Sequence, residues 1–333
     1  MRGIFNGAST FVTGADGFIG SHLVEALVTA GANVRALVYY NSWNTLGWLS
    51  DVPDNVRGEF EILAGDVRDA ERMKQGVDGC AYVFHLASLI GIPYSYESPR
   101  SYIDTNVGGT LNILEACRRS DSLVRLVHTS TSEVYGTAQT VPITEDHPLV
   151  GQSPYSATKI AADKLAESYH RSFDLPVVIA RPFNTFGPRQ TARAVIPTIV
   201  SQLLSGANEL KLGALTPTRD FTYVADTAAA FLALATCNAI NGEVVNIGTG
   251  EEWSIGQTAK LLMDKIGRSI PISCEEERVR PATSEVNRLL ADATKLKSFT
   301  TWRATVDFRE GLARTVAWIE RNRHHFRPET YAR

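Results

Sequence analysis

The sequence is poor in cysteine. Its four cysteines, Cys80, Cys117, Cys237 and Cys274, are far apart in 333 residues and form no CxxC pair. That spacing argues against a disulfide framework or a zinc site and fits a reducing compartment. A strong excess of either charge is also missing. With a formal net charge of −3, no long-range field recruits nucleic acid or an anionic membrane, and an anionic ligand must be held by local groups. The longest apolar run, around "AAAFLALATC", falls far short of the ~20 residues that span a bilayer. The N-terminal "MRGIFNGASTFVTG" runs almost directly into a strand pattern, leaving no room for a signal peptide. Internal repeats and low-complexity tracts are absent. The expectation is a cytoplasmic protein with no membrane and no nucleic-acid partner. What is present is ordinary for a globular chain: 44% hydrophobic and 21% charged residues, enough for one large α/β domain or two modest ones.

The first half alternates β-rich runs with helical patterns. Strands are expected at 10–13, 33–38, 60–66, 81–87, 123–130 and 176–182. Helices are expected at 17–30, 69–76, 100–119 and about 155–172, from apolar residues such as Ile19, Leu23, Ala26, Leu27 and Ala30 at helical spacing. This alternation argues for an α/β fold with a parallel, doubly wound, Rossmann-type sheet covered on both faces. After residue 183 the pattern breaks into loops and shorter helices, with one more strand at 243–248. The expected division is a dinucleotide-binding domain over 1–183, with returning segments near 220–250, and a smaller interleaved substrate-binding region mainly over 184–330.

"TGADGFIG" spaces Gly14, Gly17 and Gly20 as GxxGxxG, directly after a strand and opening a helix. Glycines let the backbone turn tightly and approach a pyrophosphate, and the helix N-terminus offers unpaired N–H groups. Glycines alone also fit a tight turn without a ligand, so the strand–helix context carries the reading. The second strand ends in Val38, Tyr39, Tyr40 and Asn41. An acid there would bind the ribose of NAD and a base the phosphate of NADP. Neither is present, which leans away from NADP and leaves NAD without its usual anchor. Asn41 or Ser42 offers a neutral substitute. Asp66, ending the third strand, is either a cofactor contact or a helix cap, and Asp69 can serve as the cap instead.

"HTSTSEVYGTAQ", 128–139, places Thr131, Ser132 and Glu133 just after a strand. Tyr155 and Lys159 lie four apart on an expected helix, so they share a face. Tyrosine is a poor base near neutrality, its reference pKa being ~10, but a neighbouring ammonium and a cationic cofactor both favour the phenolate. His85 and His128 end or line strands and read as structural hydrogen-bonding residues. Neither has neighbours at metal-ligand spacing, and no metal is expected.

With these residues in view, the chain resembles the extended short-chain dehydrogenase/reductases. The motifs "TGADGFIGSH", "GDVRD", "FHLAS", "DTNVGGTLNILEAC", "STSEVYG", "YSATK", "RPFNTFGPRQ", "RDFTYVADTA", "NIGTG" and "RPATSEVNRLLAD" carry that resemblance over nearly the whole length. It implies a tightly held NAD, recycled within each turnover, and a nucleotide-sugar substrate. The implied catalytic residues are Thr131, Ser132, Glu133, Tyr155 and Lys159. The cofactor residues are Gly14, Gly17, Phe18, Ile19, Gly20, Asn41, Asp66, Val67, Leu86 and Ala87, with Tyr155 and Lys159. The substrate residues are Ser88, Tyr94, Asn184, Arg193, Val195, Arg219, Arg280 and Glu285. Tyr96 is a further candidate for the sugar pocket. A homodimer packed through the helices at 100–119 and 155–172 is also implied.

Glu133 separates the reactions within this family. A 4-epimerase only moves a hydride off and back and typically has a small residue there. Oxidation at C4 makes the C5 proton acidic, and a carboxylate that removes it lets the C6 hydroxyl leave. The chain therefore resembles the 4,6-dehydratase branch. Ser132 stands where the glucose-type dehydratases have aspartate, which leaves the acid for the departing hydroxyl unassigned, while GDP-mannose dehydratases have "TSE" as here. UDP-glucuronate decarboxylases also have "TSEVYG" but read "YDEGK" where this chain reads "YSATK". The segments "SLIGIPYSYESP", "VYYNSWNTLGW" and "YGTAQTVPI" resemble dehydratases of nucleotide-activated N-acetylglucosamine, as in legionaminic-acid pathways. The expected activity is thus 4,6-dehydration of UDP- or GDP-N-acetylglucosamine. The alternatives are a decarboxylase or 4-epimerase on the same scaffold, and, in another class, a non-catalytic nucleotide-binding regulator.

Overall fold

The structure is a computed structural model, and it describes residues 3, 5–279, 281 and 283–328. Its centre is a seven-stranded parallel sheet. Six strands come in sequence: β1 (Ser9–Thr13), β2 (Asn33–Tyr39), β3 (Phe60–Gly65), β4 (Tyr82–His85), β5 (Arg125–Thr129) and β6 (Val177–Pro182). The short β7 (Asn184–Phe186), β8 (Leu210–Leu212) and β9 (Thr218–Tyr223) precede β10 (Val244–Ile247), which returns to the sheet. The order β10-β6-β5-β4-β1-β2-β3 reverses at β1, the arrangement that opens a crevice at the carboxyl ends of the strands.

Alternation along each strand divides the core into two layers. Val12, Phe84, Val127 and Val178 join one buried cluster, and Phe11, Val83, Leu126 and Val177 join the other. The first cluster is covered by α1 (Phe18–Thr29), which packs on a later helix described below. The second is covered by α2 (Ala70–Val77) and by the segment before β5. That segment begins with α3 (Ile92–Glu97) and α4 (Pro99–Tyr102), and ends with α5 (Gly109–Arg118). The helix expected at 100–119 is therefore interrupted. Residues Ile103–Gly108 form a π-turn, in which buried Asn106 reaches out to Leu89 and Thr158. Such wide turns inside helices recur at functional sites. The next helix, α6 (Pro154–Phe173), packs beside α5.

The last third holds more strand than expected. Beyond β10 lie β11 (Glu252–Ser254), β12 (Ile272–Cys274) and β13 (Arg288–Leu289). β9 is flanked by β11 and β13 and also pairs with β7, while β8 pairs with β12. These strands are mostly two or three residues long and are stitched by distant partners, so no local periodicity announces them. Helices α7 (Val195–Leu204), α8 (Val224–Thr236), α9 (Ile255–Ile266), α10 (Thr294–Phe299) and α11 (Phe308–Arg321) complete the chain. α8 packs against α1 on the main sheet. α7, α9 and α11 enclose a third core around Phe186, Phe221 and Phe308. The two parts are tied by Arg189, which meets Glu25 of α1 at 2.6 Å and donates to His22 Nδ1 at 2.9 Å.

Candidate active site

The strand registers bring the first pieces together. Thr13 lies opposite His85, and His85 opposite His128, so β1, β4 and β5 end side by side. Thr13 Oγ1 accepts the N–H groups of Leu86 and Ala87 at 3.1 Å each, and it lies 2.8 Å from His85 Nδ1. With both acceptor sites used, its proton points to Nδ1. His85 Nε2 then carries the hydrogen that meets Thr110 Oγ1 at 3.1 Å. Burial pushes the His85 pKa well below its ordinary value, and the nearby charges of His128 and Lys159 add to this. The ring is a neutral brace. Thr13 was not among the expected site residues; its position just before the glycine motif was the available signal.

Gly14 sits at φ +67°, and a Cβ there would stand 2.8 Å from the Ala87 nitrogen. A Cβ on Gly20 would lie 2.0 Å from the Gly14 carbonyl oxygen. These two glycines let the turn fold flat against the start of α1. Gly17 caps α1 with no side-chain hydrogen bond and no acid in the first turn. The first N–H groups of a helix have no partner inside it, so those of Phe18, Ile19 and Gly20 face the crevice mouth with a positive dipole end. This cradle fits a dinucleotide pyrophosphate.

Other expected cofactor residues have protein partners. The Asn41 amide closes its own loop: its nitrogen donates to Tyr39 O and Thr45 O, and its oxygen accepts from Thr45 N and Oγ1. Asp66 is bound by Arg68 through the backbone N–H and the guanidinium, which hold its carboxyl below the usual carboxylate range. Asp69 is the cap of α2, accepting from Arg72 N at 3.1 Å. Val67 is buried against Gly109.

The π-turn organises the next wall. Asn106 Oδ1 accepts from Leu89 N at 2.8 Å and from Ser88 Oγ at 2.9 Å. Its Nδ2 donates to Thr158 Oγ1 at 3.1 Å, fastening the Ser88 loop to α6. Tyr94 and Tyr96 are both partly exposed, and Tyr96 Oη lies 2.5 Å from Ser284 Oγ.

α6 starts with a capping box between Ser153 and Ser156, followed by Pro154, which fixes where its first turns point. Tyr155 and Lys159 therefore face the end of β5. Tyr155 is buried, which pushes its hydroxyl pKa up; a hydrogen bond with Thr131 opposes this and the charge of Glu133 adds to it. Thr131 thus bonds Tyr155, and Glu133 lies near enough for its charge to act on the tyrosine hydroxyl. Lys159 donates to the Thr129 carbonyl at 2.7 Å. Burial brings its ammonium down to about 8, against a smaller upward pull from Asp163.

Asp163 is a further residue that sequence reasoning passed over, although it follows Lys159 by four positions on the same helix. It is fully buried and accepts from Ser130 Oγ at 2.7 Å and from Arg181 Nη2 at 2.9 Å, with His128 Nε2 at 3.3 Å. Arg181 also donates to Tyr135 Oη at 3.0 Å, linking the back of the site to "SEVYG". His128 is a buried partner of this network. Ser132 is buried, and among the described residues no hydrogen bond ties its hydroxyl to local backbone.

On the far side, Asn184 presents a buried side-chain oxygen without a protein partner, as a ligand-binding amide would. Arg219 is buried, donates to Val286 O at 2.7 Å and meets Glu285 at 3.3 Å. Arg193 is exposed, close to where a Gly91 side chain would project, and Val195 opens α7. Arg280 lies outside the described residues. Among the described residues, no group of three His, Cys, Asp or Glu side chains is placed to hold a metal, and no helix is long and apolar enough to cross a membrane.

Known proteins resemble this chain over nearly its whole length. Residues 11–315 match the family model for GDP-mannose 4,6 dehydratase. A putative UDP-glucose 4-epimerase of Methanocaldococcus jannaschii is 32% identical, over 93% of this chain and 98% of that protein. A dTDP-glucose 4,6-dehydratase of Streptomyces antibioticus is 33% identical, over 95% and 94%. Among solved structures, a dTDP-glucose 4,6-dehydratase double mutant from Streptomyces venezuelae, determined with NAD bound, superposes with a TM-score of 0.83 at 31% identity, covering 95% of this chain and 98% of that one. The seven-stranded sheet, the glycine cradle and these matches together make the chain a member of the GDP-mannose 4,6-dehydratase-type family of extended short-chain dehydrogenase/reductases, whose relatives work on nucleotide sugars.

Proposed function

We propose that this protein is an NAD-dependent 4,6-dehydratase of a nucleotide-activated hexose, UDP- or GDP-N-acetylglucosamine, yielding the 4-keto-6-deoxy sugar. The observation that carries this reading is the convergence of Thr131, Glu133 and Tyr155, with the Glu133 charge felt at the Tyr155 hydroxyl. Tyr155 accepts the proton of the sugar C4 hydroxyl, and the Thr131 hydroxyl holds both oxygens in line. The buried Lys159 ammonium stabilises the phenolate form of Tyr155. NAD, held by the Gly14, Gly17 and Gly20 turn, would supply the hydride transfer between C4 and C6, redox chemistry that no side chain here has. Once C4 is a ketone, Glu133 removes the C5 proton and hands it to the departing C6 oxygen, with Ser132 as its neighbour. Asn184 and Arg219 contact the nucleotide sugar, Arg280 its diphosphate, and Arg193, Val195, Glu285, Ser88 and Tyr94 line the rest of the cleft. The protein acts in the cytoplasm as a homodimer through α5 and α6, with the dinucleotide domain over 1–183 and the sugar region mainly over 184–330.

The match to a 4-epimerase over almost the whole chain supports epimerisation as a second reading. Incubation with UDP- and GDP-N-acetylglucosamine and with UDP-glucuronate, read by mass, separates them. Loss of water from an N-acetylglucosamine nucleotide is expected. Unchanged mass with inverted C4 means an epimerase, loss of carbon dioxide means a decarboxylase, and no turnover means a binding protein.

A further inference from the structure

β2 ends without an acid, yet the structure delivers one to that place from another element. Asp16, between Gly14 and Gly17, accepts the N–H of Tyr39, the last residue of β2, on Oδ2 at 3.1 Å. Its own carbonyl accepts the N–H of Trp48 at 3.0 Å. Gly47 stands at φ +55°, where a Cβ would lie 2.5 Å from the Asp16 carbonyl oxygen and 3.0 Å from the Asp16 Cβ. The chain leaving β2 is therefore built to close onto Asp16. Oδ1 takes no hydrogen bond from another residue among the described residues. The competing groups nearby are committed. Asn41 spends its amide on its own loop, and Arg68, at the neighbouring strand end, is held by both oxygens of Asp66.

We infer that Asp16, supplied by the glycine turn, reads the adenosine ribose of the cofactor and excludes its 2′-phosphorylated form. This rests on the NAD reading above. In this fold the ribose lies at the end of β2, where an acid accepts from its hydroxyls. A carboxylate there accepts from a ribose hydroxyl and repels a phosphate dianion at short range. The neutral end of β2 is then no defect, because the acid arrives from a residue some twenty positions earlier.

The test is direct binding of NADH and NADPH to the full-length chain stripped of nucleotide, by calorimetry, without turnover. Asp16→Asn keeps an oxygen for the Tyr39 N–H and removes the charge, and Asp16→Ser provides a second, smaller variant. The wild type is expected to prefer NADH, and both variants to lose roughly tenfold or more of that preference, partly through tighter NADPH. Glu59→Gln, at an exposed carboxylate before β3, is expected to leave the preference unchanged. If folded Asp16→Asn and Asp16→Ser discriminate as the wild type does, or if Glu59→Gln lowers discrimination as much as they do, the assignment is wrong while the NAD reading stands. If the wild type binds neither nucleotide, both fail.

Discussion

Lys159 and Thr129 are joined by a 2.7 Å hydrogen bond from the buried ammonium to the last carbonyl of β5. This bond ties α6 to the strand whose next residues are Ser130 and Thr131. It holds the ammonium at a fixed depth, one helical turn from Tyr155 and one from Asp163. The cost is desolvation of the ammonium, and that has a measurable signature in pH.

Lys159 has its pKa brought from the ordinary 10.5 to about 8 by burial. Between these values the unfolded chain holds a proton that the folded chain has released. This group's contribution to stability therefore rises with pH over that window and is flat below it. Lys159→Met lacks the contribution. The stability difference, wild type minus Lys159→Met, is expected to move in favour of the wild type from about pH 8 to pH 10.5 in urea titrations. A difference independent of pH across that range contradicts a desolvated, charged Lys159.

Asp163 and Arg181 form a buried pair at 2.9 Å, both side chains nearly inaccessible. Asp163→Ala leaves the guanidinium buried without its counter-charge, which costs about 3–5 kcal/mol. Urea unfolding is expected to show that loss. The double variant Asp163→Ala/Arg181→Met is expected to recover a large part of it, because the guanidinium left without its counter-charge is then removed.

Glu133→Gln is expected to stop water loss while sparing C4 oxidation. Turnover to the dehydrated product should fall by roughly 10²–10⁴-fold, and reduced nicotinamide should accumulate as an absorbance rise on mixing with substrate. Full-rate dehydration by this variant would remove Glu133 from the reaction.

Gly20→Ala places a methyl 2.0 Å from the Gly14 carbonyl oxygen, a contact with backbone that only movement of the turn relieves. Loss of NADH binding by more than roughly tenfold is expected from calorimetry. Gly58→Ala serves as the control: its Cβ would meet nothing within 4 Å, and because its φ, unlike that of Gly20, is positive, the general strain of a left-handed residue is all that it adds.

The sequence made the doubly wound sheet legible because the central strands are apolar runs that alternate with helical patterns, as β1 does with α1 and β3 with α2. The expected bounds of the first helix, 17–30, differ from α1 by one residue at each end. The six-residue β9 and the short strands β7, β8 and β11 to β13 were not legible, since their pairing depends on partners far away in the chain. The same holds for the site. Gly14, Gly17, Gly20, Tyr155 and Lys159 announce themselves by spacing. Thr13, Asn106 and Asp163 do not, because their importance lies in hydrogen bonds to residues far along the chain. The interrupted helix at 103–108 was hidden for a related reason: side-chain bonds of Asn106, rather than helix propensity, accompany the π-turn.

In the proposed reaction the hydride removed at C4 returns to C6 after water has left. Substrate deuterated at C4, UDP- or GDP-N-acetylglucosamine, tests it most directly when incubated with the protein and no added nucleotide. The account predicts a product lighter by one water, carrying the deuterium at C6 and a solvent-derived hydrogen at C5. A product of unchanged mass with deuterium still at C4, or a dehydrated product without deuterium at C6, would contradict it.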